Sequence, residues 1–445
     1  MRKSLLAMAA LMGVATLPAH AWRVSIDKDT FADIGFSTQV MGRSEGKRTD
    51  ARTDHNATNF SVGLANITAS GQVNKLVYFS INAESTAFRG NFITRDAFIG
   101  MRFADEFRVQ VGAMRVPFSR VALTSSYVFL IPTQALGGTV TAGGIRRPDN
   151  VYRGLLINPT DALGAENDGS RDTGIVVWGN VADGLLKYYF GVSDGRFDRR
   201  GGFFGANNTK DNLAYTIRLQ FTPTMLGFKP ETGYTPSDTY LGRQNVHNVG
   251  IGYRVVKAQS TGRTTDYSRD AKMLTVDMIY EQKFGDLVPN LQVGYINAKD
   301  VPYGFNGTTS VCPANNVCYG KATQIYAQAQ LLYDQVVGFG KPALAIRFEQ
   351  NKNKDIFRLD TSAAGATPTP VNNVFGNPIG EPKNTRVGVF ANYYIKGQDA
   401  KVSLGVDSVS RNTDSRNADP NAAAGPPAVR GKSFTDFTLY FQTRF

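Results

Sequence analysis

Histidine and cysteine are scarce in this chain: its 445 residues include three histidines and two cysteines. His20 falls in the leader described below, which leaves His55 and His247. General-base catalysis needs a histidine oriented by a third group, and a metal site needs several ligands brought together. His55 follows Asp54 in a polar stretch and His247 stands beside Asn248; neither is near a cysteine in sequence. Both read as solvated side chains, so no catalytic set, metal site or cofactor is expected. No glycine-rich loop follows a strand and opens a helix, which removes support for nucleotide binding. The paired acids Asp105-Glu106 sit in a short turn and read as solvated. Long apolar runs are missing as well. After residue 21 no stretch approaches the about 18 residues that a membrane helix needs. The two cysteines, Cys312 and Cys318, lie close together in a polar stretch. In an oxidising compartment such a pair reads as a loop-stiffening disulfide.

The two ends of the chain carry the first positive signals. Residues 1–21 have a basic start (Arg2, Lys3), an apolar stretch from Leu5 to Ala15, and Ala19 and Ala21 around His20. That is the pattern of a secretory signal peptide cleaved before Trp22. At the other end, Phe445, Thr443, Phe441, Leu439 and Phe437 share one face of an alternating run, and Arg444, Gln442, Tyr440, Thr438 and Asp436 share the other. A period of two marks a half-buried β-strand. A closing aromatic on such a strand fits the last strand of an outer-membrane barrel, with lipid outside and water inside.

Similar alternation recurs along the chain. The candidate strands are 30–41, 58–69, 75–84, 94–103, 107–116, 172–180, 186–194, 211–221, 247–256, 271–281, 291–298, 321–332, 341–350, 385–394, 400–410 and 434–445. They number sixteen, and most have the about ten residues that a tilted strand needs to cross a bilayer. Residues 22–445 are therefore expected to form one all-β, transmembrane antiparallel barrel. The mean hydropathy of −0.24 does not oppose this, because every second residue of such a strand faces water. Short connections (70–74, 104–106, 181–185, 395–399) alternate with long ones (117–171, 299–320, 351–384, 411–433), as periplasmic turns alternate with extracellular loops. One connection breaks the pattern: 222–246 is a long one on the short-turn side.

A charge facing lipid near the midplane costs about 2–4 kcal/mol, so the polar face of each strand is assigned to the lumen. This places Arg102, Arg108, Arg218, Arg254, Arg347, Arg386 and Lys401 inside, with Asp96, Asp277, Glu281, Glu349 and Asp407. A barrel of this size leaves an aqueous channel. The longest connection, 117–171, is the third on the extracellular side and is expected to fold into the lumen as a constriction loop. Its apolar run Tyr127–Ile131 would then pack on the inner wall. Its cations are Arg120, Arg146, Arg147, Arg153 and Arg171, and the first four are candidate selectivity groups, because a guanidinium fork suits phosphate, sulfate or carboxylate. Salt bridges within the loop or to the wall are the competing use of these arginines.

The stretch Arg95-Asp96-Ala97-Phe98-Ile99-Gly100, with Val111-Gly112, Pro117-Phe118-Ser119 and Leu123-Thr124-Ser125-Ser126, resembles the phosphate-selective porin O and P family. So do Arg171-Asp172-Thr173-Gly174-Ile175 and the hairpin from Asn392-Tyr393-Tyr394 through Leu404. The resemblance implies a sixteen-stranded barrel, a homotrimer, and passive diffusion of anions past a constriction set by the third loop. Phosphate-specific members use an arginine ladder and a lysine cluster. Arg102, Arg108 and Arg218 are the candidate ladder positions, but acids interrupt the lumen and 117–171 has no lysine.

The formal charge is +12, and it is +10 without Arg2 and Lys3. An exported chain rarely meets nucleic acid, so this excess reads as attraction of small anions to a pore, or of acidic lipid headgroups to a surface. The expected function is an outer-membrane porin for small hydrophilic solutes with an anion preference, and not an enzyme. The alternative is a structural barrel acting as a sheath, receptor or adhesin for a partner protein.

Overall fold

The computed structural model describes residues 22–45, 57–85, 93–131, 171–194, 213–260, 268–303, 316–360, 369–370, 383–411 and 434–445. Sixteen long strands form the wall. The first five are β1 (Phe31–Glu45), β2 (Ala57–Gln72), β3 (Val77–Ser85), β4 (Ile93–Arg102) and β5 (Arg108–Arg115). They continue as β6 (Arg171–Val181), β7 (Leu186–Ser193), β8 (Ala214–Phe221), β9 (Val246–Ser260) and β10 (Ser268–Glu281). The rest are β11 (Leu287–Tyr303), β12 (Asn316–Tyr333), β13 (Lys341–Asp360), β14 (Lys383–Lys396), β15 (Ala400–Arg411) and β16 (Phe434–Arg444). Each pairs antiparallel with its neighbour in sequence. β16 pairs with β1 from Arg444↔Ser37 to Asp436↔Glu45, which closes the ring. Closure leaves no barrel strand with an unpaired edge.

The alternation that identified the strands sorts their side chains between lipid and lumen. In β8, Ile217 and Leu219 are 47% and 40% exposed, whereas Arg218 and Gln220 are 1% and 3%. The exposed apolar side chains of successive strands make the outer band. Aromatic pairs sit on it near the turns: Phe36–Phe445, Phe103–Phe107 and Phe339–Tyr393 have ring centroids 5.4, 5.4 and 5.0 Å apart. His247 belongs to this outer set, against Phe228 and Tyr280, with Nδ1 3.0 Å from the Ile279 carbonyl. No helix among the described residues is long and apolar enough to cross a membrane.

The strands agree with the sequence expectation in number and, to a few residues, in position. Several run further at the long-loop end: β9 to Ser260, β11 to Tyr303 and β13 to Asp360. Past the lipid zone both faces of a strand meet water, so backbone pairing continues without any alternation in polarity. For the same reason the short strand Trp22–Ser25, paired with Ile34–Phe31, has no signature in the sequence. The Cys312–Cys318 pair involves Cys312, outside the described residues, as are residues 1–21 and His55.

Candidate functional site

Two segments pack against inward-facing side chains of the wall and meet each other there. The first leaves β5. Val116 and Phe118 are buried against Ala214, Val256, Ala271, Met273, Ile296, Ala298 and Ala322, which makes an apolar patch on the inner wall. A helical turn follows, Arg120–Leu123, whose Ser119 hydroxyl accepts a hydrogen bond from the Ala122 amide at 3.1 Å. The chain then reaches the opposite side of the ring. There the Tyr127 carbonyl accepts from Gln442 at 2.8 Å, Phe129 from Lys401 at 2.6 Å and Leu130 from Asn392 at 2.8 Å. Leu130 and Ile131 pack on Ala345 and Phe390. Residues 116–131 thus link inward-facing side chains of β8–β12 with those of β14–β16. Residues 132–170 lie outside the described residues, and with them Arg146, Arg147 and Arg153.

The second segment is 222–245, the connection that broke the pattern of short turns. It is long because it folds inward. Lys187 of β7 donates to the Glu231 carbonyl at 2.7 Å and to the Gly233 carbonyl. The Tyr189 hydroxyl donates to Tyr234 O at 2.9 Å, and the Tyr234 hydroxyl to Arg115 O at 2.6 Å. Further on, the Asp238 carbonyl accepts from Asn290 at 2.8 Å and Gln292 at 2.6 Å. The Asp238 carboxylate accepts from Gln328 at 3.0 Å and from the Leu130 amide at 3.2 Å. That last bond ties the two inward segments together.

Arg120 and Glu231 form the centre of this junction. Arg120 Nη1 and Nη2 donate to Glu231 Oε2 and Oε1 at 2.7 and 2.8 Å, an end-on fork. Asn248 Nδ2 at 2.8 Å and Gln220 Nε2 at 3.3 Å donate to Oε2, and the Tyr240 hydroxyl to Oε1. Burial alone would raise the Glu231 pKa; Arg120, with Tyr240 and Lys187, instead holds it down at about 2, against an ordinary 4.5. Burial opposes the Arg120 charge and Glu231 more than offsets it, so the Arg120 pKa is raised. At Asp238 burial wins and the carboxyl titrates above its ordinary range. Because Glu231 is more acidic in the docked state, it favours docking of 222–245 above the ordinary carboxylate value. That contribution is lost as pH falls from 4.5 toward about 2. Current through the protein in a planar bilayer should therefore rise across that interval. Glu231→Gln should flatten the response, and an equal acid response in that variant would contradict the assignment.

Around this junction the inner wall is a set of ion pairs rather than free charges. Arg43–Asp436, Arg95–Glu84, Arg171–Asp96, Arg254–Asp172 and Arg218–Asp277 lie at 2.5, 2.8, 2.8, 2.8 and 2.6 Å. Arg347 pairs with Asp407 and Arg386 with Glu349. Two of these pairs share one device. Arg218 of β8 reaches Asp277 of β10 over Gly250 of β9, where a Cβ would lie 2.2 Å from Arg218 Nη2. Arg347 of β13 reaches Asp407 of β15 over Gly388 of β14, where a Cβ would lie 2.2 Å from Asp407 Oδ1. A missing side chain on the middle strand makes room for the pair.

The candidate ladder residues occupy separate places. Arg102 and Arg108 face each other across β4 and β5, beside the 103–107 turn. Arg102 is exposed with its guanidinium 5.6 Å from the Tyr78 ring centre, and Arg108 pairs with Asp105 and lies 4.7 Å from the Trp178 ring. Arg218 is elsewhere on the wall, committed to Asp277. Arg120 joins the two segments through Glu231, as Leu130 does through Asp238. Reasoning from sequence missed Glu231, Lys187 and Asp238. The unusual length of 222–246 was the available signal, and it did not say that the segment turns inward.

The model of the phosphate-selective porin O and P family matches residues 44–277. Among curated proteins, an uncharacterized protein of Aquifex aeolicus (strain VF5) is 29% identical over 164 residues, covering 35% of this chain and 33% of that protein. The chain therefore spans about a third of the length of the curated relative it matches. Among solved structures, the outer membrane channel DcaP of Acinetobacter baumannii matches with a TM-score of 0.51 at 10% identity, over 95% of this chain and 99% of that one. An anion-selective porin from Comamonas acidovorans matches with a TM-score of 0.50 at 11% identity, over 93% and 99%. At such identities the likeness is one of fold.

Proposed function

The chain belongs to the phosphate-selective porin O and P family, an outer-membrane channel barrel, and on that premise we propose that it is a narrow diffusion pore preferring small anions. The mature protein in this reading starts at Trp22, works as a homotrimer and performs no catalysis. The observation that carries the anion preference is the positive excess of the chain, +10 after residue 21. The inward arginines described above are matched by carboxylates. Lys187 and Lys401 are held by main-chain carbonyls instead, Lys401 at 2.6 Å from Phe129 O. Two inward acids are likewise held by neutral donors. Glu281 accepts from the Tyr240 and Gly242 amides at 3.0 and 3.1 Å, and the Asp238 carboxylate from Gln328 and the Leu130 amide. The sheath alternative fits less well, because 116–131 and 222–245 occupy space that an enclosed partner would need.

Purified protein in planar bilayers under a potassium chloride gradient should give discrete steps with a reversal potential favouring chloride. Cation preference would discard the reading. The double substitution Arg146→Ala and Arg147→Ala should weaken the chloride preference, and unchanged selectivity would exclude that pair from the constriction.

A further inference from the structure

Glu231 is gripped in the way a receptor grips a carboxylate ligand. Its two oxygens take the Arg120 fork at 2.7 and 2.8 Å, Asn248 at 2.8 Å, Gln220 at 3.3 Å and the Tyr240 hydroxyl. Arg120, Gln220, Asn248 and Glu231 are all at least nine-tenths buried. Of these donors, only Tyr240 travels with 222–245. Arg120 stands on the segment from β5, Gln220 on β8 and Asn248 on β9. Arg120 is held in place independently, since its amide donates to Asp277 at 3.0 Å. If 222–245 moves away, the fork and both amides remain, aimed at one empty position inside the barrel.

We propose that Arg120, Gln220 and Asn248 form a carboxylate-binding station in the lumen, filled at rest by Glu231 and open to small organic carboxylates in transit. The proposal rests on the anion-passing reading above and names the solute class. A planar two-oxygen anion matches the guanidinium fork edge to edge, which a spherical chloride cannot do. Leaving Arg120 buried without a counter-anion is costly, so an exogenous carboxylate is drawn to the station when Glu231 is absent.

The test is chemical rescue in the full-length barrel. Glu231→Ala removes a CH2–COO unit, the size of acetate. Sodium acetate added to this variant at constant ionic strength should give a saturable upward shift in the thermal unfolding midpoint in detergent. Half the effect should come at a concentration about tenfold below that for chloride or phosphate. Wild type should show no such shift, and adding Arg120→Met to Glu231→Ala should abolish it. Acetate acting no better than chloride, phosphate acting as well as acetate, or a response that survives Arg120→Met would each overturn the proposal. If Glu231→Ala does not fold, wild type carries the test. Acetate replacing chloride should then raise its current along a saturating curve, and a strictly linear change would overturn the station. The potassium chloride reversal potential contains no carboxylate, so it can sink the anion reading alone. Anion preference there with no acetate effect sinks only the station.

Discussion

Replacing Asp277 with alanine is expected to cost the barrel about 3–5 kcal/mol, the penalty of orphaning one partner of a buried ion pair. Arg218 donates to both Asp277 oxygens at 2.7 and 2.6 Å, and both side chains are 0% exposed. No solvent is present to screen the charge left behind. Asp277 also accepts from the Arg120 amide at 3.0 Å, and Arg218 donates to Phe118 O at 3.4 Å. The pair therefore fixes the course of 116–131 where it leaves β5. Asp277→Asn keeps the shape and removes the charge, so it should destabilise nearly as much. Arg218→Met combined with Asp277→Leu removes both charges and should recover most of the loss, because apolar replacement of a buried pair is often neutral. Loss of the heat-modified gel shift, followed against temperature in detergent, measures all three. If Asp277→Ala melts with wild type while the double variant melts lower, the pair is not what holds the site.

The second large effect concerns 222–245. Replacing 225–243 with a short Gly–Ser turn should raise single-channel conductance several-fold, since the excised residues fill part of the lumen and pore width governs flow. The excision removes Lys229, Glu231, Asp238 and Arg243, which together carry no formal net charge. Anion preference should nevertheless increase. Arg120 loses Glu231, Lys187 loses the Glu231 and Gly233 carbonyls, and both cations then face the solute path. Conductance equal to wild type, measured on trimers or monomers of confirmed heat-modifiability, would show that 222–245 does not obstruct flow. The same excision should lower thermal stability, because Tyr189, the Arg115 carbonyl and Asn290 lose their partners as well.

The strands were readable because lipid imposes one rule on every one of them. A side chain on the outer face must be apolar, its neighbours must face inward, and the resulting period of two survives in the sequence even where composition looks soluble. The run 186–194 was expected and Leu186–Ser193 is found; 400–410 was expected and Ala400–Arg411 is found. The inward assignment of Arg218, Arg254, Arg347, Arg386 and Lys401 follows from the same rule, and all five are buried inside.

The pairing of those residues was not readable. Arg254 meets Asp172 and Arg120 meets Glu231 between elements far apart in the chain, and no local pattern records which acid a given arginine will face once the ring closes. The Arg–Gly–Asp bridges over Gly250 and Gly388 depend on the register of three strands at once, and each strand by itself shows only a glycine or a charge. The inward course of 222–245 is of the same kind. By its alternation the amino-acid sequence settled the barrel, its number of strands and which side chains face water, because the membrane tests each residue separately. Tertiary structure alone decided which charges cancel, which stay uncompensated and what stands in the channel, because those outcomes are properties of residues brought together across a closed ring.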